Sequence, residues 1–301
     1  MWLKYGLAQD GNLISVEDVP KGKTNLICLY CGGPLTAKKG KVKVHHFAHS
    51  KTTCKLVARR KVPSLPLYDN FNLHLSPQEL LQHQQLWREY GHTNYSPVHV
   101  PFRLVLKKLF VWNEQLQPPG YGFTSLGKIP VNALSLQEFN QVQEPLLLEK
   151  LQQFHSAFNR AKLTNSASLP VKKADWQMYC AQFRRILELK LYFLKISTSR
   201  KTIYKVGVTK RNIEERVAEV RRDVEKHLGK PRIEVLGTWP HRGNVELYFK
   251  HRYKDCNYPL GKLTEYFDFA DVEPVMADLQ GMEAKVLRAE ELKLLRGDRV
   301  G

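Results

Sequence analysis

Short alternating runs of apolar and polar residues open the chain. They predict two strands within residues 2–16, around the turn Asp10-Gly11-Asn12. A hairpin is expected from Leu35 to Val44, turned at Lys39-Gly40, and Pro63 and Pro66 mark a linker. Ser76-Pro77-Gln78-Glu79 combines a capping serine, a proline in the first turn and a glutamate able to reach back to the cap. It predicts a helix to about Tyr90, closed by Gly91. Residues 98–112 suggest a strand or two, and Pro118-Pro119-Gly120 begins a loop. Helical period covers 135–163 with a bend near Pro145, Thr164 to Ser168 is linker-like, and another helix is expected from Trp176 to Leu187.

The last third has the strongest patterning. Leu191 to Ile196 and Ile203 to Val208 predict two strands around a turn at Ser197 to Lys201. Ile213, Val217, Val220, Val224 and Leu228 then form one apolar helical stripe. Asn212 is its expected N-cap, Glu215 the reciprocal partner of that cap, and Gly229 and Pro231 its end. Ile233 to Thr238 predicts a third strand, Val245 to Tyr253 a helix, and residues 272–296 a final helix.

Composition adds a partner class and excludes others. With 301 residues, 43% hydrophobic and 25% charged, the chain has ordinary globular composition and room for two or three domains. Its net charge of +18 points to a polyanion. From Val19 to Tyr68 there is no Asp or Glu, while Lys21, Lys23, Lys38, Lys39, Lys41, Lys43, Lys51, Lys55, Arg59, Arg60 and Lys61 crowd the same stretch. Of these, Lys38, Lys39, Lys41, Lys43, Arg59, Arg60 and Lys61 are the candidate phosphate contacts. Five scattered cysteines are not a disulfide framework, the first residues lack a signal-type apolar core, and no apolar run is long enough to span a bilayer. The expectation is a cytoplasmic protein in a reducing compartment, with no membrane partner.

Cys28-x-x-Cys31 lies in a glycine-rich knuckle, followed by His45-His46-Phe47-Ala48-His49 and Cys54. Structural zinc takes four thiolate or imidazole ligands, commonly as two close pairs. Cys28 and Cys31 supply one pair, and His46, His49 and Cys54 compete for the other two places. Cys28-x-x-Cys31-Gly32, the Lys-Lys-Gly turn and His46-Phe47-Ala48-His49 together resemble the N-terminal zinc-finger-like region of competence protein CoiA-like proteins, over about residues 3–55. That resemblance implies DNA processing and an adjoining nuclease domain. The family's usual restriction-type pattern is met only loosely, by Asp175…Glu188-Leu189-Lys190.

A second resemblance covers about residues 190–269. Leu191-Tyr192-Phe193-Leu194, Tyr204-Lys205-Val206-Gly207-Val208-Thr209, Arg216, Glu246 and Leu263-Thr264-Glu265-Tyr266-Phe267 resemble, in order and spacing, a GIY-YIG nuclease of the branch whose second motif reads Lys-Ile-Gly. The resemblance implies Tyr192 as base or water-orienting phenol, Arg216 on the scissile phosphate and Glu246 as ligand to Mg²⁺ or Mn²⁺. Hydrolysis of a phosphodiester requires such a set. The chain departs from the pattern in three places. Lys190-Leu191-Tyr192 stands where Gly-Ile-Tyr would, Lys205 holds the second tyrosine position, and Lys250 with His251 stands where a histidine commonly follows the glutamate. Tyr204 and Lys205 face opposite sides of a strand. Lys205 is the one favoured for the site, where its charge would lower the Tyr192 pKa from about 10.

The expected fold is α+β and multidomain. A zinc-ribbon-like β module (1–62) precedes a mostly helical connector (63–187), a small α/β GIY-YIG-like nuclease domain (188–275) and a helical tail (276–301). The expected activity is metal-dependent endonucleolytic cleavage of DNA, with structural Zn²⁺ and catalytic Mg²⁺ or Mn²⁺. The alternatives are an inactive DNA-binding protein and an RNA-directed nuclease, since phosphate contacts do not distinguish the two polymers.

Overall fold

A computed structural model describes residues 3–40, 44–50, 54, 62–66, 75–93, 95–115, 118–199, 201–261, 263 and 265–297. The fold is α+β, and a small N-terminal sheet carries a cluster of metal-ligand side chains. The chain forms two compact units. The first is Met1–Leu65 with Leu147–Arg184, and the second is Pro66–Leu146 with Arg185–Gly301. No helix among the described residues is long and apolar enough to cross a membrane.

The first unit holds an antiparallel sheet of β1 (Tyr5–Leu7), β2 (Leu13–Ser15), β3 (Gly22–Ile27), β4 (Pro34–Lys38) and β5 (His46–His49), in the order β2-β1-β3-β4-β5. The turn between β1 and β2 forms where expected, with Asp10 Oδ1 accepting from the Asn12 backbone N–H at 2.9 Å. Alternation buries Leu35 and Ala37 of β4 and leaves Pro34 and Lys38 exposed. The buried face packs Leu3, Tyr5, Val16, Leu26 and Phe47 with Val62 and Met178.

Helix α1 (Pro77–Tyr90) starts on the expected box, since Ser76 Oγ accepts from Glu79 N and Glu79 returns to Ser76 N. Residues 98–112 yield one strand and one helical turn. The turn, α2 (Phe102–Leu106), starts where Pro101 O accepts from Leu104 N at 2.8 Å and is anchored by the buried Leu104. The strand β6 (Phe110–Asn113) pairs with β7 (Gly120–Phe123), and a short helix α3 (Ser125–Lys128) follows. Helix α4 spans Leu136–Leu163 with Pro145 inside it. Helix α5 (Leu169–Glu188) begins at Leu169 rather than Trp176, because Pro170 falls in its first turn, where its missing N–H costs nothing.

The second unit is built on an antiparallel sheet in the order β10-β8-β9-β11. Its strands are β8 (Lys190–Ser197), β9 (Thr202–Thr209), β10 (Arg232–Trp239) and β11 (Tyr266–Phe267). Both faces are covered, which explains the continuous apolar runs in β8 and β9. Tyr192, Leu194, Ile196 and Ile203 pack with Val220 and Val224 of α6 (Ile213–Leu228). Leu191, Phe193, Tyr204 and Val206 pack with Val245, Tyr248 and Phe249 of α7 (Val245–Arg252). Asn212 caps α6 by accepting from Ile213 N at 2.7 Å, and the return bond expected from Glu215 is not formed.

The final helix is two helices, α8 (Glu273–Gln280) and α9 (Ala289–Arg296), and not one. Gly281 ends the first. Lys285, in the non-helical connection, is buried between Glu144 (2.8 Å) and Glu291 (2.9 Å), and Glu144 also pairs with Arg242. A buried ammonium needs such partners.

Candidate functional site

The N-terminal cluster is made by a tight turn and two later segments. Cys28 N donates to Gly33 O and Gly32 N to Cys28 O, both at 2.8 Å, and Gly32 has φ +69°, a conformation that favours glycine. This turn brings Cys28 and Cys31 beside His49 at the end of β5 and beside Cys54. The ligand atoms of Cys28, Cys31, His49 and Cys54 all lie within 4.8 Å of one another, and Cys31 Sγ is 3.4 Å from His49 Nε2. Three thiols and an imidazole suit a closed tetrahedral zinc site. Burial pushes the Cys28 thiol up to about 12 and holds the His49 imidazole towards its neutral form. A bound cation reverses the first effect, because it stabilises thiolate.

His46 is not a member of that group. It is buried, its Nδ1 lies 2.8 Å from Val44 O, and three residues along a strand put it on the opposite side from His49. Of the candidate phosphate contacts, Lys38 is exposed at the end of β4. Lys39 is tied down, donating to Glu17 O at 3.1 Å and Val19 O at 2.7 Å. Lys41, Lys43, Arg59, Arg60 and Lys61 lie outside the described residues.

In the second unit, Tyr192 on β8 lies opposite Gly207 on β9. A Cβ at position 207 would come 2.6 Å from the Tyr192 Cζ and overlap its hydroxyl, so only glycine leaves space for the phenol. Arg216 Nε donates to the Tyr192 hydroxyl at 3.0 Å. Glu219, one turn on, accepts from Arg216 Nη1 at 2.6 Å and from both terminal nitrogens of Arg211 at 2.6 and 3.0 Å.

Lys205 shares the Tyr192 face of the sheet, buried, with its ammonium paired to Glu265 and 4.6 Å from the centre of the Tyr266 ring. Tyr204 is on the other face, stacked on Phe193 at 5.7 Å. Glu246, in the first turn of α7, accepts from Lys250 at 2.9 Å, and Lys250 also reaches Glu265 at 3.2 Å. The structure thus joins Tyr192 to Arg216 directly, and Lys205 to Glu246 through Glu265 and Lys250. It separates Tyr204 from them. His251 is half-buried against the Pro130 backbone.

Burial raises the Tyr192 phenol to about 12, with Arg216 working against it. Lys205 stands on the Tyr192 face with its ammonium paired to Glu265, and Arg216 is the cation in direct contact with the phenol. Burial pulls Lys205 below the ordinary lysine range, with Glu265 opposing. Burial disfavours the charge on Glu265 too, but Lys205 and Lys250 prevail and hold it at about 2. Two further residues enter the site. Glu219 follows Arg216 by three residues, a helical spacing visible in the sequence. Glu265 reaches its partners only through the pairing of β11 with β9.

Searches among curated proteins and among solved structures returned no match. Residues 15–57, a stretch containing Cys28, Cys31, His49 and Cys54, match the family model described as competence protein CoiA, N-terminal domain.

Proposed function

We propose that the chain is a metal-dependent endonuclease of competence-related DNA processing, which holds DNA through its zinc-stabilised basic N-terminal module and cuts it at the Tyr192–Arg216 face with GIY-YIG-type chemistry. The observation that carries this is the 3.0 Å bond from Arg216 Nε to the Tyr192 hydroxyl. Two groups suited to water and phosphate, from different elements, meet beside a patch of lysines and carboxylates. The hairpin β8–β9, helix α6, strand β10 and helix α7 also follow the order of motifs on which the resemblance rests.

Each side chain has a part. Tyr192 stays a phenol at neutral pH, so it orients water rather than deprotonating it outright. Among the described residues, Arg216 uses Nε on Tyr192 and Nη1 on Glu219, which leaves Nη2 for a phosphate oxygen. Lys205 and Lys250 add positive charge. Glu246 suits a hard divalent cation, since no described residue bonds its Oε2 and a single carboxylate plus waters and phosphate is a common Mg²⁺ environment. Such a cation, Mg²⁺ or Mn²⁺, would stabilise charge developing on the phosphate.

A second reading is favoured by the complete burial of Tyr192, 0% exposed. In it the same domain binds nucleic acid without cutting. Incubating labelled single- and double-stranded DNA and RNA with Mg²⁺ or Mn²⁺ separates the two. Metal-dependent products from wild type but not from Glu246→Ala support cleavage, and binding without products from either supports the second reading.

A further inference from the structure

Glu265 lies between two ammonium groups. Its Oε2 accepts from Lys205 Nζ, and its Oε1 accepts from Lys250 Nζ at 3.2 Å. The register of the sheet accounts for this. Tyr266 pairs with Lys205 across β11 and β9, so the residue just before β11 falls beside the Lys205 ammonium. That ammonium is nearly sealed, its side chain 3% exposed. The groups around it are Glu265 and the Tyr266 ring from the β11 end, Arg216 from α6 and Lys250 from α7, with Tyr192 of β8 bound to Arg216. Among these described neighbours, Glu265 is the acid in contact with Lys205, and the other charged groups are cations.

A sealed ammonium facing two cations is held in its charged form only if an anion compensates, because burial and like charge both favour the neutral amine. We propose that Glu265 is a positioning residue for the phosphodiester: it keeps Lys205 protonated and ties Lys250 beside it, so that Lys205, Lys250 and Arg216 present positive charge together. The inference rests on the nuclease reading for the identity of the ligand, but the charge state of Lys205 is testable without it. Removing the Glu265 charge leaves Lys205 facing Arg216 and Lys250, whose own carboxylate partners, Glu219 and Glu246, bond those cations rather than Lys205. The neutral amine that results no longer attracts phosphate.

The test uses the full chain with lysine carrying ¹³C at the ε position, the Lys205 signal being assigned by its loss in Lys205→Arg. Glu265→Gln should lower the Lys205 titration midpoint by about one pH unit or more, and Glu265→Asp should lower it less. In single-turnover cleavage, Glu265→Gln should slow the reaction most at high pH and approach the wild-type rate as the pH falls. A purely structural role gives the same loss at every pH. An unchanged midpoint in Glu265→Gln overturns the inference. If that variant does not fold, Lys250→Met replaces it: removing the competing cation should raise the midpoint, and an unchanged value is again contradictory. If the wild-type chain cuts no substrate, the nuclease reading falls, while the titration still decides the role of Glu265.

Discussion

Arg216 and Tyr192 are joined by a 3.0 Å hydrogen bond between a helix and a strand, and Glu219 fixes the guanidinium from its other side at 2.6 Å. Arg216 is thus oriented before any ligand arrives. Preorganised donors of this kind are worth far more than mobile ones, since no reorganisation accompanies the reaction. Arg216→Ala should lower single-turnover cleavage by about 10²-fold or more, a much larger effect than its loss of DNA affinity. Glu219→Gln should have a smaller effect in the same direction. Equal rates for Arg216→Ala and wild type would remove Arg216 from the site.

Gly207 is a packing requirement of Tyr192. Gly207→Ala places a methyl group in the space of the phenol and should destabilise the chain by about 1–3 kcal/mol in urea unfolding, as overpacking does. In a Tyr192→Phe background the cost should fall, because the hydroxyl is gone. Additivity of the two substitutions would mean that they do not share this contact.

Lys205 and Tyr204 are neighbours with opposite surroundings. Lys205→Met should cut turnover by about 10-fold or more with the fold retained, as expected for losing a preorganised charge near phosphate. Tyr204→Phe keeps the stack on Phe193 and should be close to silent. Circular dichroism checks the fold and single-turnover kinetics the rate. The reverse pattern would show that the catalytic face is the other one.

The cluster of Cys28, Cys31, His49 and Cys54 takes one histidine and leaves out the other, His46. The purified full chain should carry about one Zn²⁺, as closed four-ligand sites do. His49→Ala and Cys54→Ser should release the metal, and His46→Ala should retain it. Elemental analysis decides, and metal loss in His46→Ala with retention in His49→Ala would reverse the assignment.

Lys38 and Lys39 make a similar contrast. Lys38 is exposed, whereas Lys39 is bonded to two backbone carbonyls. Lys38→Ala should reduce the slope of log affinity against log salt by about 0.9, the value for one phosphate contact. Lys39→Ala should lower the melting temperature with little change in slope. If Lys38→Ala leaves the slope unchanged, its ammonium does not contact phosphate.

Signals confined to a few neighbouring residues could be read from the sequence. Ser76 and Glu79 announce α1 because both halves of the cap lie within one turn. The stripe from Ile213 to Leu228 announces α6 for the same reason. The break at Gly281 was not legible, because the connection that follows it holds Lys285 between Glu144 and Glu291, and Glu144 is remote in sequence. The choice of His49 over His46 was half legible. Strand alternation says that they face opposite ways, but which side meets Cys28 and Cys31 depends on the pairing of β5 with β4. Glu265 was visible as part of a motif, yet its contact with Lys205 exists only in the folded sheet.

Cleavage of labelled DNA under excess Mg²⁺ by wild type and Glu246→Ala tests the proposed activity most directly, with binding measured on the same samples. Wild type should cut, and brief chelation should stop cutting without releasing DNA, because structural zinc is held more tightly than a cation on one carboxylate. Glu246→Ala should bind at least as well as wild type, having lost a negative charge near the phosphate, and should cut at least about 10²-fold more slowly. Cutting by Glu246→Ala at the wild-type rate would contradict the assignment of this face as the catalytic site.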